Sequence, residues 1–417
     1  MRTSSIFRSI LRNFIIVLLV TLTAAAFVSC QFAEASSASP KEQLREAKSE
    51  PRPGAFSTED YLVLLEGKRI AVVANQTSVI ERKSANGHTH LVDSLLSLGV
   101  EIKKVFAPEH GFRGQLDAGE HVKDQEDPRT KLPIISLYGE NKKPSRAQLS
   151  EVDLVVFDIQ DVGVRFYTYI STLHYIMEAC AESKVPLLLL DRPNPNSHYV
   201  DGPVLDPKFS SFVGMHPVPV VYGMSIGEYA QMINGEKWLD QGKSCELRII
   251  PVKDYDHQTP YSLPVKPSPN LPNEKAVNLY PSLCLFEGTT ISCGRGTEMQ
   301  FQIFGSPELP ASKFDFQFTP RPNFGSKYPK HEGKLCHGRD LRAEKPLDRL
   351  HLEWIIGAYE NYPKKPEFFN DFFVKLAGTP RLREQIEEGL PEAQIREEWS
   401  QGLDSFAAVR SKYLLYD

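Results

Sequence analysis

Short runs of apolar residues recur through the first two-thirds of the chain, and each is followed by a polar loop. Strands that are apolar on both faces must be covered on both sides, as in a parallel sheet between two layers of helices. Helical spacing at 91–98 and at about 171–183 supplies such helices. The sequence therefore predicts an α/β fold with a Rossmann-like parallel sheet. The predicted strands are Arg69–Ala74, Ile102–Ala107, Leu132–Leu137, Asp153–Phe157 and Val185–Leu190.

Proline-rich sequence from Pro251 to Pro281 interrupts this alternation. We place a domain boundary there, so that residues 55–265 form the Rossmann-like catalytic domain. Residues 266–417 then form a second, smaller α+β domain that completes a cleft. This second part holds a strand candidate at 300–304, an aromatic-rich stretch at 314–318 and two or three helices after Leu347.

The first thirty residues differ from the rest. Three arginines precede an apolar run from Phe14 to Val28, which ends in Val28-Ser29-Cys30. The run of about fifteen residues is shorter than the roughly 20 that span a membrane, which indicates a signal peptide at 1–30. Cys30 suits the acylated cysteine of a lipoprotein, and a simple secretory signal is the alternative. Residues 31–54 then form a flexible tether, and the protein is exported, periplasmic or associated with the outer membrane through a lipid at Cys30.

Composition excludes several classes of function. The chain is 41% hydrophobic and 24% charged, with a net charge of −5 and no basic block, so we expect no nucleic-acid partner. The sequence lacks GxGxxG, GxxxxGK[ST] and GxSxG motifs, so we expect no nucleotide cofactor and no serine-hydrolase site. HExxH is absent and the cysteines after Cys30 have irregular spacing, so we expect no metal.

Polar residues follow the predicted strands at the edge where an open parallel sheet binds its ligands. Asp and Asn at such positions also cap helices, but capping does not require a carboxylate, an imidazole and a guanidinium between glycines. We therefore expect this edge to form an active site. Its candidate residues are Asn75, Glu109, His110, Arg113, Asp158, Asp161, Arg165, Tyr167, Tyr169, Asp191, Arg192 and Asn194.

The side chains at this edge that could take part in catalysis are mainly carboxyl groups. Glycoside cleavage needs one carboxylic acid to protonate the leaving oxygen, together with a second carboxylate or help from the substrate itself. Glu109, Asp158 and Asp161 are the catalytic candidates. Tyr167 and Tyr169 suit a platform for a sugar ring, and packing in the core is the alternative.

Seven sequence blocks resemble the exo-β-N-acetylmuramidase family, once known only as a domain of unknown function. They span nearly the whole chain after the tether. The blocks are Pro108–Gly114, Phe157–Tyr169, Asp191–Pro195, Pro267–Pro272, Phe286–Thr297, Lys375–Thr379 and Tyr413–Tyr416.

The resemblance implies an enzyme that removes N-acetylmuramic acid from the non-reducing end of peptidoglycan-derived saccharides in a cleft between two domains. Carried over block by block, Glu109 is the leading catalytic carboxylate, followed by Asp158 and Asp161. The resemblance adds cleft residues from the second domain and makes Arg165, Arg192 or Arg295 the expected partner of the lactyl carboxylate of muramic acid. The added cleft residues are Asn270, Glu287, Arg295 and Thr297.

Two other functions are compatible with the same residues. One is a lipid-anchored protein that binds muropeptides without catalysis, and the other is a metal-dependent hydrolase. The spacing of the carboxylates decides neither between inversion and retention of configuration nor which carboxylate is the acid. The oligomeric state is equally open.

Overall fold

The computed structural model describes residues 49–80, 87–114 and 125–417, so the predicted signal peptide and the tether up to residue 48 lie outside the described residues. Among the described residues the strands are β1 (Ile70–Ala74), β2 (Val79–Ile80), β3 (Thr89–His90), β4 (Ile102–Ala107), β5 (Gln125–Glu126), β6 (Pro133–Ser136), β7 (Leu154–Asp158), β8 (Leu187–Leu190), β9 (Leu247–Ile250), β10 (Ile303–Ser306), β11 (Phe316–Phe318) and β12 (Cys336–Asp340). The α-helices are α1 (Thr58–Leu65), α2 (Leu91–Ser97), α3 (Arg146–Leu149), α4 (Tyr169–Ser183), α5 (Ile226–Gly235), α6 (Glu274–Leu283), α7 (Glu353–Asn361), α8 (Phe372–Ala377), α9 (Arg381–Glu387) and α10 (Glu392–Arg410).

The large sheet has the strand order β5-β6-β4-β1-β7-β8-β9. All neighbours pair in parallel except β5, which pairs antiparallel with β6 at one edge. From β1 the chain builds outward first through β4 and β6 and then, on the other side, through β7, β8 and β9. This reversal is the Rossmann-like pattern, and it places a ligand crevice at the carboxyl ends of the central strands.

Apolar strands make this sheet because both of its faces are covered. In β1, Ala71 and Val73 pack into one hydrophobic cluster, whereas Ile70, Val72 and Ala74 pack into a second. Successive side chains of a strand point to opposite faces, so the two clusters are the two layers beside the sheet. The predicted α/β class is confirmed, and the five predicted strands lie within one or two residues of their predicted bounds.

The second, smaller domain contains a three-stranded antiparallel sheet in the order β10-β12-β11. Four α-helices follow residue 347 in this part of the chain, so the prediction of two or three was wrong. Both domains lie in one compact unit, residues 50–417, and the boundary near residue 265 stays a prediction. In the described ranges, no helix combines the length and the apolar character that crossing a membrane requires.

The end of the predicted tether belongs to the folded part of the chain. Arg52 pairs with Lys253, and the Gly54 amide donates to the Asp191 carbonyl at 2.8 Å. A side chain at Gly54 would collide with the Ile250 carbonyl, because an added Cβ would lie 2.2 Å from that oxygen. Residues 52–54 are therefore packed against the large sheet rather than free of it.

Arg165 ties the two domains together. Its Nη1 donates to the carbonyl oxygens of Pro203 and Val218 at 2.8 and 2.7 Å, and its Nη2 donates to those of Leu376 and Ala377 at 2.9 and 2.7 Å. The last two carbonyls end α8, where the helix dipole favours a positive charge. Burial lowers the pKa of Arg165 to about 9, which leaves the guanidinium charged at neutral pH. All four Nη hydrogens are thus used inside the protein.

Gly378 explains why α8 ends where it does. Its φ is +75°, and a Cβ at this position would lie 2.7 Å from Nη2 of Arg165. Both the left-handed backbone and the close approach of the guanidinium require glycine here. The block Lys375–Thr379 therefore supplies the carbonyl groups and the space that accept the Arg165 guanidinium.

We predict that Arg165→Lys lowers the free energy of unfolding by about 3 kcal/mol, because an ammonium cannot satisfy four carbonyls in this geometry. Urea denaturation of the purified protein measures the effect. The matched control is Arg381→Lys, which alters an exposed arginine with surface ion pairs and is expected to leave the unfolding midpoint nearly unchanged. Equal stability of Arg165→Lys and wild type would contradict the role of Arg165.

Candidate active site

The loop after β4 carries Glu109 at the carboxyl edge of the sheet. His110 is buried and has a φ of +70°, a left-handed conformation that is costly for a residue other than glycine, and Gly111 follows with +75°. The Gly111 amide closes the turn by donating to the Pro108 carbonyl at 3.0 Å. This sharp turn leaves Glu109 partly exposed while its neighbours are buried.

Two hydroxyl groups hold the Glu109 carboxylate. Oγ1 of Thr168, at the start of α4, donates to Oε2 of Glu109 at 2.8 Å. Tyr138, which follows β6, is hydrogen-bonded to the same carboxylate, and burial together with this negative charge raises the pKa of Tyr138. Tyr138 therefore stays protonated at neutral pH, and the two hydroxyl groups fix the orientation of the carboxylate.

A second layer of hydrogen bonds lies behind Glu109. Asn75 donates to the hydroxyl oxygen of Tyr169 at 2.8 Å, and the hydroxyls of Tyr167 and Tyr169 donate to the Pro267 carbonyl at 2.8 and 3.3 Å. Burial and then the charge of Glu109 raise the pKa of Tyr169. This layer connects the end of β1 to the loop that leads into the second domain. Tyr167 and Tyr169 are buried, so the structure places both rings within the core.

Glu287 and Arg295 form the opposite wall, in the second domain. Nη1 of Arg295 donates to Oε1 of Glu287 at 2.7 Å, and about a quarter of each side chain is exposed. Tyr280 of α6 lies near enough to both Glu109 and Glu287 for their charges to act on its hydroxyl. Its pKa is raised by burial first and also by the charges of Cys284, Glu287 and Glu109. The fold thus brings the Glu109 loop and the Glu287–Arg295 pair to the same tyrosine.

Asp158 and Arg192 form a buried ion pair at the ends of β7 and β8. Nε of Arg192 donates to Oδ1 of Asp158 at 2.6 Å and Nη2 donates to Oδ2 at 2.9 Å. Nη2 also donates to the Val79 carbonyl at 2.9 Å. Neither side chain reaches solvent, so this structure gives a sugar no path to them. Catalysis by Asp158 stays a prediction, as does substrate binding by Arg192.

Asp161 is also buried, but it forms no ion pair with any of the described residues. Its Oδ2 accepts hydrogen bonds from the Gly163 amide, at 2.6 Å, and from the Tyr222 hydroxyl. Its Oδ1 is buried, and within the described ranges no group donates a hydrogen bond to it. Burial raises the pKa of Asp161 to about 7. A carboxyl group with such a pKa is a candidate for proton transfer, yet its burial keeps a bound saccharide away from it here.

Several other predicted site residues have protein partners. Asp191 accepts from the hydroxyls of Ser225 and Tyr416, both at 2.6 Å, and burial raises its pKa to about 6. These contacts make it a link between β8, α5 and the last residues of the chain. Arg113 pairs with two aspartates, Asn194 donates to Met224, and Thr297 donates to Gly294. Binding of substrate by these residues, and by Arg165, stays a prediction.

A cavity of about 600 Å³ is lined in part by Lys266 and Pro267. Its wall includes Tyr261 and the first turn of α6, but not Glu109 or Glu287. The carboxylate in the wall of this cavity, Glu274, accepts a hydrogen bond from the Ser262 hydroxyl. Within the described ranges, no cluster of three or more His, Cys, Asp or Glu side chains could hold a metal ion. We therefore place the candidate active site at Glu109.

Two family models match this chain in succession. The N-terminal domain of the exo-β-N-acetylmuramidase NamZ matches residues 70–275, and the C-terminal domain matches residues 278–416. The chain belongs to the exo-β-N-acetylmuramidase NamZ family. Membership of this glycosidase family confirms both the predicted family and the prediction of an enzyme.

Known proteins resemble the chain over most of its length. The peptidoglycan β-N-acetylmuramidase NamZ of Bacillus subtilis (strain 168) is 36% identical, and the match covers 92% of this chain and 95% of that protein. Two crystal structures of DUF1343 family proteins from Bacteroides fragilis NCTC 9343 share the NamZ family fold. The structure at 1.30 Å resolution has a TM-score of 0.80 and 43% identity, and the one at 1.65 Å has 0.77 and 27%. Each match covers 88% of this chain and 99% of the other.

Three residues near the carboxylates were absent from the predicted site. Tyr138 directly follows a predicted strand, and Thr168 lies inside a block that carried the resemblance to the NamZ family, so both had a signal in the sequence. Tyr280 had none, because it stands among apolar residues in a helix. Its proximity to Glu109 and Glu287 depends on the packing of α6.

We predict that Asp161→Asn changes how stability depends on pH. The folded-state pKa of about 7 exceeds the ordinary value of 3.8, so Asp161 binds more protons in the native state and its own contribution to stability falls as pH rises from about 4 to 7. The variant lacks this loss, and its stability relative to wild type should rise by on the order of 3 kcal/mol over that window.

Urea unfolding at several pH values measures this difference. Asp404→Asn, an exposed change on α10, is the matched control and should follow wild type at every pH. A constant difference between Asp161→Asn and wild type across the window would show that Asp161 does not titrate there.

Proposed function

We propose that the protein is an exo-acting glycoside hydrolase that releases N-acetylmuramic acid from the non-reducing end of peptidoglycan-derived saccharides. In this proposal Glu109 exchanges the proton with the substrate. The observation that carries it is the Glu109 carboxylate itself, which is partly exposed at the carboxyl edge of the sheet and held by Thr168 and Tyr138. The peptidoglycan β-N-acetylmuramidase activity in the name of the Bacillus subtilis relative supports the substrate.

The surroundings of Glu109 suit acid–base chemistry. A general acid or base must hold one orientation toward the reacting oxygen, and two hydroxyl donors provide that orientation. The neighbouring carboxyl groups differ, because Asp158 and Asp161 are buried. Glu109 is therefore the catalytic carboxyl group that a saccharide at this edge can meet directly.

We infer that Arg295 binds the lactyl carboxylate of the muramic acid. Three arginines were predicted to bind this carboxylate. Arg165 and Arg192 are fully buried and hydrogen-bonded to other groups of the protein, whereas a quarter of the Arg295 side chain is exposed. A planar guanidinium forms paired hydrogen bonds with a carboxylate. Glu287 holds Nη1 of Arg295 in place and so positions the guanidinium for the substrate.

We predict that Glu109→Gln lowers kcat by about 10² to 10⁴ on a chromogenic N-acetylmuramide and on a muramyl disaccharide, because the amide cannot exchange the proton. Steady-state release of the chromophore or sugar measures it. Glu101→Gln, on the surface before β4, is the matched control and should keep wild-type kinetics. A Glu109→Gln enzyme with most of the wild-type turnover would remove Glu109 from the mechanism.

The same assay separates the alternatives. We expect the wild-type rate to be unchanged by a chelator, and loss of activity on chelation would favour a metal-dependent hydrolase. If wild type releases no product, the glycosidase proposal fails. The muropeptide-binding alternative is then supported if wild type and Glu109→Gln both bind the saccharide and neither hydrolyses it.

We propose that the protein is exported and anchored by a lipid at Cys30, a residue outside the described ranges. The basic and apolar order of residues 1–30 supports this proposal. We predict that Cys30→Ser abolishes incorporation of labelled palmitate and moves the protein from the membrane fraction to the soluble periplasmic fraction. Unchanged fractionation and no label in wild type would indicate a simple secretory signal.

A further inference from the structure

A loop of the second domain, residues 320–329, presents two aromatic rings to solvent. Phe324 is 64% exposed and Tyr328 is 91% exposed. Across the described ranges the large exposed hydrophobic residues include three aromatics, and these two stand four positions apart. Single exposed apolar residues are ordinary, but two largely exposed aromatic side chains on one loop beside the candidate active site are suited to binding a ligand.

The backbone between the two rings is fixed against the candidate active site. The Gly325 carbonyl accepts hydrogen bonds from Nδ2 of Asn270 at 2.7 Å and from Nη2 of Arg295 at 3.3 Å. Gly325 has a φ of +103°, and a Cβ there would lie 3.0 Å from Pro269. The loop therefore touches the Arg295 wall through its backbone.

Two further contacts make the loop rigid. Asn323 and Ser326 exchange backbone hydrogen bonds, both at 3.1 Å, which closes a tight turn. Nδ2 of Asn323 donates to the Thr297 carbonyl at 3.1 Å, which ties the turn to the segment that carries Arg295. A loop whose backbone is already fixed loses little backbone entropy when it binds a ligand.

We propose that Phe324 and Tyr328 form a platform for the saccharide on the leaving-group side of the scissile bond. The inference rests on the proposed function. An exo-acting enzyme holds the terminal muramic acid at the catalytic carboxylate, so the remainder of the glycan must cross the rim of the site. The apolar faces of a hexosamine ring pack on aromatic rings while its hydroxyl groups stay hydrated, which suits exposed rings better than a closed pocket.

The platform would set a preference for substrate length. A monosaccharide glycoside with a small chromogenic leaving group lies at Glu109 and Arg295, and has no second sugar for the rings. A tetrasaccharide that begins with muramic acid has sugars beyond the scissile bond to contact them. The diagnostic quantity is therefore the ratio of kcat/KM for the tetrasaccharide to kcat/KM for the chromogenic muramide.

The test compares this ratio in wild type, in the double variant Phe324→Ala/Tyr328→Ala, and in Tyr328→Phe. We expect the double variant to lower the ratio about tenfold, mainly through a higher KM for the tetrasaccharide. Tyr328→Phe keeps the ring and should keep the wild-type ratio. The matched control is Leu98→Ala, which removes an apolar side chain that is 50% exposed and lies after α2, and it should also keep the ratio.

Three outcomes would overturn the platform while leaving the proposed function intact. The first is a wild-type ratio in the double variant. The second is an equal loss on both substrates, which would show a general defect of the site or the fold. A selective loss on peptide-substituted muramides with an unchanged glycan ratio would also overturn it, since that result assigns the rings to the peptide. The proposed function itself fails only if wild type hydrolyses neither substrate.

Discussion

Coverage of both faces of the parallel sheet is the constraint on which the rest of this structure depends. Because helices and loops exclude water from both faces, polar side chains collect at the carboxyl edge of the sheet. Most groups at that edge are buried as well, and a buried charge needs a partner. The Asp158–Arg192 pair meets this need with two hydrogen bonds. Asp191 meets it with hydroxyl and amide donors.

The same constraint separates buried polar groups, which support the fold, from the partly exposed groups of the candidate active site. Asp158, Asp161 and Asp191 are enclosed, whereas Glu109 is partly exposed and its orientation is fixed by hydroxyl groups from the end of β6 and the start of α4. The second domain adds a partly exposed carboxylate and guanidinium at Glu287 and Arg295. The buried network makes the edge rigid, and rigidity is what lets a few exposed groups act on a substrate.

Two blocks that carried the resemblance to the NamZ family, at the end of the chain, form contacts that hold the fold together. Lys375–Thr379 ends α8 and receives the Arg165 guanidinium. In the block Tyr413–Tyr416, the amides of Leu415 and Tyr416 donate to Glu228. The Tyr416 hydroxyl donates to Asp191. A recognisable motif can therefore report a long-range structural contact as readily as a catalytic group.

The sequence by itself determined the fold class, the positions of five strands and the Glu109 loop, because these follow from local patterns of apolar and polar residues. It missed β9, which is only partly apolar, and β5, a two-residue edge strand. The tertiary structure alone decided which polar residues are buried and which stay partly exposed at the candidate active site. Arg165 and Arg192 have the same chemistry as Arg295, but contacts across as many as 212 residues bury Arg165. Packing between distant segments likewise places Tyr138 and Tyr280 near the carboxylates of the candidate active site. Burial and partners depend on such long-range contacts, which no local pattern of the sequence specifies.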